Sequence, residues 1–232
     1  MKNHTLTLLL TAGPLFAGTP TPAPQSNDQG FTLGLEVLAL RPYQSEGSYD
    51  KSNYDAAYRG SLGYQFSDGL FVKATYFGYN TSTAPGDDLT TQYVDLAVGQ
   101  NFKPMDKLTI SPFVGLRWAG YQEDSSYSAD FDGYGIVLGV DATRALGNNI
   151  SLYATAKQSI LFGDTKLAHP QMGNHTTSLI SEIGLGLQYD FCCSGCAGNA
   201  RLGVEGQYWS GSSDLGYDTS LAGFAFGLNF RF

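Results

Sequence analysis

Two histidines and two serines occur close together in and just after the stretch LAHPQMGNHTTS: His169, His175, Ser178 and Ser181. A histidine that accepts the proton of a serine hydroxyl turns that serine into a nucleophile for ester or amide hydrolysis. Such a site also needs both side chains within hydrogen-bond distance and an acid that orients the histidine. The stretch contains proline and glycine, which are typical of a loop. No acid that could orient either histidine is evident from the sequence. We therefore interpret these histidines as residues of a surface loop and expect no enzymatic activity.

Three cysteines stand together in the motif CCSGC, as Cys192, Cys193 and Cys196. Most structural zinc sites need four ligands, and no histidine lies near this motif. In an oxidising compartment Cys196 could form a disulfide with Cys192 or with Cys193, which would leave one thiol over. Free or intermolecular thiols are the second interpretation, and a metal site is the third. The sequence contains no cofactor-binding motif, and we expect no cofactor.

Acidic residues concentrate in segments that we interpret as external loops. Neighbouring pairs such as Asp87–Asp88 and Glu123–Asp124 could hold divalent cations, although no calcium-loop spacing is present. The formal net charge of −8 excludes nucleic acid as an expected partner, because such a chain repels phosphate. An acidic rim would also favour cations at the mouth of a pore. The acidic loop residues are Glu46, Asp50, Asp55, Asp87, Asp88, Glu123, Asp124, Asp130, Asp214 and Asp218.

Single charged residues recur inside segments that alternate between apolar and small or polar residues. In LTISPFVGLRWAG, Arg117 shares a face with Ser111, opposite Ile110 and Val114. A lone charge inside a dry sandwich would be costly, whereas a wet or ion-paired barrel lumen accommodates it. We predict that these residues face a lumen: Glu36, Arg59, Lys73, Asp95, Arg117, Asp141, Lys157, Glu182, Arg201, Glu205 and Arg231.

The elements that would position these charges are β-strands. Alternation with period two recurs in ten segments, and no amphipathic helix of useful length separates them. Most segments are close to the length of about 9–11 residues that a tilted membrane-crossing strand needs. The predicted strands are 31–41, 56–66, 70–79, 89–102, 108–120, 131–143, 150–162, 178–191, 200–210 and 220–232.

The connections between these segments alternate in length. Long ones, such as RPYQSEGSYDKSNYDA, follow the first, third, fifth, seventh and ninth strands, and short ones, such as SDG and RALGNN, follow the others. This alternation is typical of an outer-membrane barrel with short periplasmic turns and long external loops. We predict an all-β chain that forms one closed antiparallel up-and-down barrel of about ten strands, with eight or twelve as alternatives.

The last segment, GFAFGLNFRF, carries large apolar residues at every second position. Such a stripe would be an aggregation site on a soluble edge strand, and it suits a strand that faces lipid. The outer-membrane lipid is therefore an expected partner. By resemblance to the C-terminal signal of outer-membrane proteins, we also expect the barrel-assembly machinery to recognise Phe224, Phe226, Phe230 and Phe232.

The first residues have the pattern of a secretory signal. Lys2 precedes an apolar stretch from Leu6 to Phe16, and small residues follow it. We predict a signal peptide over residues 1–17, while later cleavage sites up to residue 25 stay open. Residues 18–30 are rich in proline and polar residues and are predicted to be a flexible lead-in, so that the barrel domain spans residues 31–232.

Three stretches, FDGYGIVLGVDATRALGNNISLYATAKQSILFG, EGQYWSG and AGFAFGLNF, resemble the family of the Legionella major outer membrane protein. The resemblance runs from about Leu33 to Phe232 and rests on glycine, aromatic and acidic positions. It implies a pore-forming outer-membrane barrel without a catalytic motif.

Two functions follow as expectations. The first is a small porin-like channel for ions and small solutes, with separated charges across a wet lumen. The second is a closed structural or adhesive barrel, with interlocked charge pairs inside, that acts through its external loops. The sequence does not indicate an oligomeric state.

Overall fold

The chain folds into one closed antiparallel barrel. The structure is a computed structural model that describes residues 29–44, 53–84, 87–124, 129–167, 174–193, 195–211 and 218–232. The predicted signal peptide and most of the predicted lead-in lie outside the described residues. The described strands are β1 (Gly30–Gln44), β2 (Asp55–Gln65), β3 (Leu70–Ala84), β4 (Asp87–Gln100), β5 (Phe102–Met105), β6 (Leu108–Asp124), β7 (Ala129–Gly147), β8 (Ile150–Leu167), β9 (Asn174–Cys193), β10 (Cys196–Ser210) and β11 (Thr219–Arg231).

Apart from the short β5, the strands pair in chain order, and the first pairs with the last. β1 lies antiparallel to β11, with Leu35 opposite Leu228. On the other side of the sheet β4 pairs with β6, which closes the ring. The short strand β5 follows β4 after one residue and also pairs with β6, so it extends β4 along the same partner. The barrel wall therefore consists of ten strands, and β5 is one extra short strand. The prediction of a ten-stranded barrel is confirmed.

Tight turns join the strands at the end of the barrel where β1 begins and β11 ends. Asn148 and Asn149 both have positive φ, at 50° and 63°, as a two-residue hairpin turn requires. In the turn after β2, Gly69 has a φ of 88°, a backbone conformation that glycine adopts without a steric cost. In outer-membrane barrels the end with the short turns faces the periplasm, and the loop end faces outward.

Several strands extend further at the loop end than the sequence predicts. The third strand was predicted to stop at residue 79, but β3 continues to Ala84, and only residues 85 and 86 separate it from β4. The long connection predicted after the third strand is therefore wrong. The outward residues in this last part of β3, such as Asn80 and Ser82, are polar. The sequence there therefore lacks the apolar alternation that indicates a strand. The backbone ladder continues there because its hydrogen bonds do not depend on apolar side chains.

The outer surface carries an apolar band between two aromatic belts. At the turn end Phe31, Phe66, Phe102, Tyr189 and Phe232 are exposed, and at the loop end Tyr58, Tyr76, Tyr134, Phe162 and Tyr208 are exposed. Exposed leucine, valine and isoleucine side chains lie between the belts. This arrangement is the lipid-facing surface of an outer-membrane barrel. The described part of the chain contains no helix that is long and apolar enough to cross a membrane.

Candidate functional site in the barrel lumen

The strand alternation places all the predicted lumen charges on the inner face. Glu182 and Arg117 share this face with the buried Ile180 and Ala119. The same holds for Glu36, Arg59, Lys73, Asp95, Asp141, Lys157, Arg201, Glu205 and Arg231. The structure divides them into two groups: seven form a layer across the lumen, and four line a cavity below it.

Glu182 on β9 is the centre of the layer. Its side chain is 2% exposed, and its Oε1 lies 2.6 Å from Nη1 of Arg117. Its Oε2 lies 3.2 Å from Nζ of Lys157 and 3.8 Å from Nη2 of Arg59. The hydroxyl of Tyr93 donates a 2.8 Å hydrogen bond to the same oxygen. One carboxylate therefore contacts groups from four other strands.

Arg117 on β6 is held by two carboxylates. It lies opposite Asp95 in the ladder between β4 and β6. Its Nε and Nη2 donate hydrogen bonds of 2.6 and 2.7 Å to the two oxygens of Asp95, which is the bidentate geometry that a guanidinium favours. The guanidinium carbon lies 3.8 Å from the ring centroid of Tyr93. The Arg117 side chain is fully buried, so its charge depends on these partners alone.

Arg59 on β2 completes the layer. Its Nη1 donates a 2.7 Å hydrogen bond to Glu36 and one of 2.8 Å to Glu205, and its Nη2 also pairs with Glu205. The guanidinium lies 5.4 Å from the ring centroid of Phe77. We call this set the charge layer; its members are Glu36, Arg59, Asp95, Arg117, Lys157, Glu182 and Glu205.

The contacts of the charge layer cross the lumen. Arg59 on β2 reaches Glu182 on β9, although β1, β11 and β10 separate these two strands along the sheet. Arg117 on β6 reaches the same carboxylate from the other side. Of the two arrangements expected from the sequence, interlocked pairs describe these contacts and separated charges do not.

Above the charge layer, toward the loop end, the lumen is packed with apolar side chains. Trp209, Phe131, Leu161 and Leu40 are 0% exposed, and they belong to one contiguous cluster. We call this cluster the outer core. Its members are Leu38, Leu40, Ala57, Phe77, Tyr79, Leu89, Tyr93, Ala119, Tyr121, Phe131, Leu161, Ile180, Trp209, Leu221 and Ala225.

Below the charge layer, the lumen contains a cavity of about 660 Å³. We call it the vestibule. Its lining extends from Glu182 in the charge layer to Asn101, Asn149 and Arg231 at the turn end. The other predicted lumen charges, Lys73, Asp141 and Arg201, lie on its wall. Lys73 and Asp141 are 3.5 Å apart, and each side chain is 31% exposed, so this pair is much wetter than the charge layer.

The aromatic residues of the outer core that contact the charge layer are the ones that sequence reasoning missed. Tyr93 contacts Glu182 and stacks on Phe77 at a centroid distance of 5.0 Å. Tyr93 lies two residues before Asp95 and therefore shares its face. This two-residue spacing could have predicted that Tyr93 faces the lumen, but only charged residues were considered as lumen residues.

The cysteines lie at the turn end. Cys196 is disulfide-bonded, and Cys192 is a free, exposed cysteine that lines the mouth of the vestibule. Cys193 lies opposite Cys196 in the ladder between β9 and β10. Among the described residues no group of three or more histidine, cysteine or acidic side chains is placed to hold a metal ion.

The predicted loop histidine His175 lies on β9 rather than in a loop, and its side chain is 98% exposed. Its Nδ1 lies 2.6 Å from Oδ1 of Asp164. Ser178 is buried on the opposite face, where it donates to the carbonyl of Ser210. Ser181 shares the outer face but lies six residues along the strand, about 20 Å away. No histidine–serine pair forms here, and His169 lies outside the described residues.

The predicted acidic loop residues also lie partly on strands. The structure places Asp55 on β2, Asp88 on β4, Glu123 on β6 and Asp130 on β7, with Asp218 just before β11. The backbones of Asp87 and Asp124 belong to β4 and β6. Glu46, Asp50 and Asp214 lie outside the described residues. Binding of divalent cations by this set stays a prediction.

The phenylalanine stripe of β11 lies on the outer face. Phe224, Phe226 and Phe232 are 54%, 50% and 63% exposed in the isolated chain. Phe230 is partly covered, with Phe191 and Phe232 as ring neighbours at 6.1 and 6.5 Å. Recognition of these residues by the assembly machinery stays a prediction.

The closed ring, the aromatic belts and the charged inner face together define an outer-membrane β-barrel. A family model described as the Legionella pneumophila major outer membrane protein precursor matches residues 23–214. The chain belongs to this family and is located in the cell outer membrane, which confirms the resemblance read from the sequence.

The solved structures to which this chain is similar share little sequence with it. The outer membrane protease OmpT of Escherichia coli matches with a TM-score of 0.54 and 11% identity over 91% of this chain and 100% of that chain. Neisserial surface protein A matches at 13% identity over 88% and 97%, with a TM-score of 0.47. The Ralstonia pickettii toluene transporter TbuX matches at 10% identity over 88% and 90%, with a TM-score of 0.37. No curated protein matches the chain.

Proposed function

We propose that this protein is a closed, non-enzymatic outer-membrane barrel that acts through its outer end rather than by passing solutes through its lumen. The observation that carries the proposal is the position of Glu182, whose nearly buried carboxylate contacts Arg59, Arg117 and Lys157 from different walls of the barrel. A solute would have to displace these pairs and then pass through the outer core.

The energetics of buried ion pairs support a seal. Breaking such a pair by removing one partner leaves an uncompensated charge and costs about 3–5 kcal/mol. A charge pair in a wet channel contributes much less, about 0.2–1 kcal/mol. A transient opening of the charge layer would have to break several of these contacts together. The closed state is therefore expected to dominate in the absence of a partner.

A narrow or gated porin-like channel is the second candidate function. The vestibule favours it, because a cavity of about 660 Å³ already occupies the turn-end half of the lumen. In this case the charge layer and the outer core would be the gate. The two candidates differ in whether the layer opens without a partner.

The stability of the Glu182→Gln variant tests the proposal. We expect the free energy of unfolding, measured by urea titration in lipid vesicles, to fall by about 3–5 kcal/mol, because three cations lose their shared anion. Asp106→Asn is the matched control: Asp106 lies in the exposed turn before β6, and this change should leave stability unaltered. A loss for Glu182→Gln of about 1 kcal/mol or less would indicate a wet layer and favour the channel.

A further inference from the structure

The vestibule contains an arginine that forms no ion pair with a carboxylate of the described residues. Nε of Arg201 on β10 donates a 2.8 Å hydrogen bond to Oε1 of Gln188 on β9. The guanidinium carbon lies 5.0 Å from the ring centroid of Tyr153. Gln188 and the tyrosine ring therefore orient the guanidinium but do not neutralise it.

The carboxylates in the same part of the wall already have other partners. Asp190 accepts a 2.6 Å hydrogen bond from Nε2 of Gln188, which turns the amide oxygen of Gln188 toward Arg201. Asp141 accepts a 2.7 Å hydrogen bond from Thr155 and lies 3.5 Å from Nζ of Lys73. Arg201 interacts electrostatically with Asp141 and Glu36. Neither carboxylate forms an ion pair with it, so its two Nη groups remain available to an anion in the cavity.

The geometry of a guanidinium specifies which anions fit. Arginine has five N–H donors, of which the Nε donor is used here, so the two Nη groups are left for a ligand. This planar fork matches the two oxygens of a carboxylate or a phosphate. The face of Tyr153 supports the guanidinium plane, as in cation–π contacts generally.

The size and the lining of the vestibule suit a small polar molecule. Small-molecule sites usually have volumes of about 300–1,000 Å³, and the vestibule has about 660 Å³. Amide and hydroxyl side chains such as Asn101, Thr143, Asn149 and Asn229 line it and can bind the polar body of a ligand. Because the cavity reaches the turn end, the ligand would enter from the periplasm.

We propose that the vestibule is a periplasm-facing binding site for a small organic oxyanion, a carboxylate or a phosphate, with Arg201 as the fork that recognises it. Lys73, which is paired with Asp141, lies on the same wall. The site lies below the charge layer, so this proposal holds whether or not the layer opens. It goes beyond the closed-barrel function and fails independently of it.

Isothermal titration calorimetry on the refolded barrel in detergent tests the site with citrate and inorganic phosphate as probes and glucose as the uncharged control. We expect binding of at least one anion and none of glucose, and the anion that binds identifies the oxyanion class. Arg201→Gln should weaken binding about tenfold, because charge-assisted hydrogen bonds are lost. Arg144→Gln, at an exposed position on the outer face of β7, is the matched control and should leave binding unchanged.

Folding of each variant is verified by heat-modifiable migration on gels. If Arg201→Gln does not fold, Arg201→Lys replaces it in the test. This variant keeps the charge and removes the planar fork, so it should bind the anion more weakly than the wild-type chain. The absence of binding by the wild-type chain would overturn the proposal. Equal binding by the Arg201 variant, or an equal loss in Arg144→Gln, would also overturn it.

Discussion

The two halves of the lumen differ although one barrel wall encloses both. On the inner face of β1, Leu38 and Leu40 lie at the loop end and are fully buried, whereas Thr32 and Gly34 lie at the turn end and line the vestibule. The strand number and the alternation are the same in both halves. Inner side-chain bulk therefore decides which part of a ten-stranded barrel is packed and which part is open.

The charge layer lies at the boundary between these halves. Its buried groups need polar partners. From the loop-end side, Tyr93 and Gln207 donate hydrogen bonds to Glu182 and Glu205. The ion pairs around Glu182 and Arg117 balance their charges. Nη1 of Arg117 and Oε1 of Glu182 contact each other as an ion pair without the geometry of a hydrogen bond. The pair of Lys73 and Asp141, next to the vestibule, can be looser because water reaches it.

The largest effect expected within the comparison is that of Trp209→Ala in the outer core. Trp209 is 0% exposed and contacts Tyr121 at a ring-centroid distance of 6.4 Å. Removing a buried tryptophan side chain leaves a cavity, so the free energy of unfolding in vesicles should fall by about 3–5 kcal/mol. Asn101→Ala in the vestibule is the contrasting change and should lower stability by about 1 kcal/mol, because it removes one hydrogen bond from Ser111. Equal losses would mean that the two halves are packed alike.

A pair of cysteine substitutions should reveal the difference in water access. Ser111 lines the vestibule, whereas Ser159 lies on the inner face of β8 among the outer core and is 0% exposed. In a Cys192→Ser background, a small maleimide should modify Ser111→Cys quickly and leave Ser159→Cys unmodified until the barrel unfolds. Rapid labelling at both positions would show that water fills the outer half as well.

The smallest effect is expected for Lys73→Met. The two side chains of this pair are 31% exposed and 3.5 Å apart, so solvent screens their attraction. The free energy of unfolding should fall by about 1 kcal/mol or less. A loss comparable to that of Glu182→Gln would mean that the vestibule wall is as dry as the charge layer.

Much of this architecture follows from local sequence pattern. Alternation with period two depends only on neighbouring residues, so it assigned Arg117, Glu182 and the phenylalanine stripe to their faces. Lys157 and Glu182 lie in consecutive predicted strands of the up-and-down barrel, and the ladder places them opposite each other. In an up-and-down barrel the order of the strands in the sheet follows their order in the chain, so it could be predicted as well.

The contacts across the lumen could not be predicted in the same way. That Arg59 and Arg117 both reach Glu182 depends on the stagger between distant strands, which no local pattern encodes. The ends of β3 and β4 were missed because their outward residues are polar. The vestibule depends on the combined volume of inner side chains from many strands, and only the assembled barrel determines it.

The ionic conductance of the refolded wild-type barrel in planar lipid bilayers tests the sealed lumen most directly. Heat-modifiable migration and protease protection in vesicles should first establish that the barrel has inserted. We then expect no steady conductance at moderate voltages of either sign, because the charge layer and the outer core block the path. A stable, voltage-independent conductance from the inserted wild-type chain would contradict the closed-barrel account.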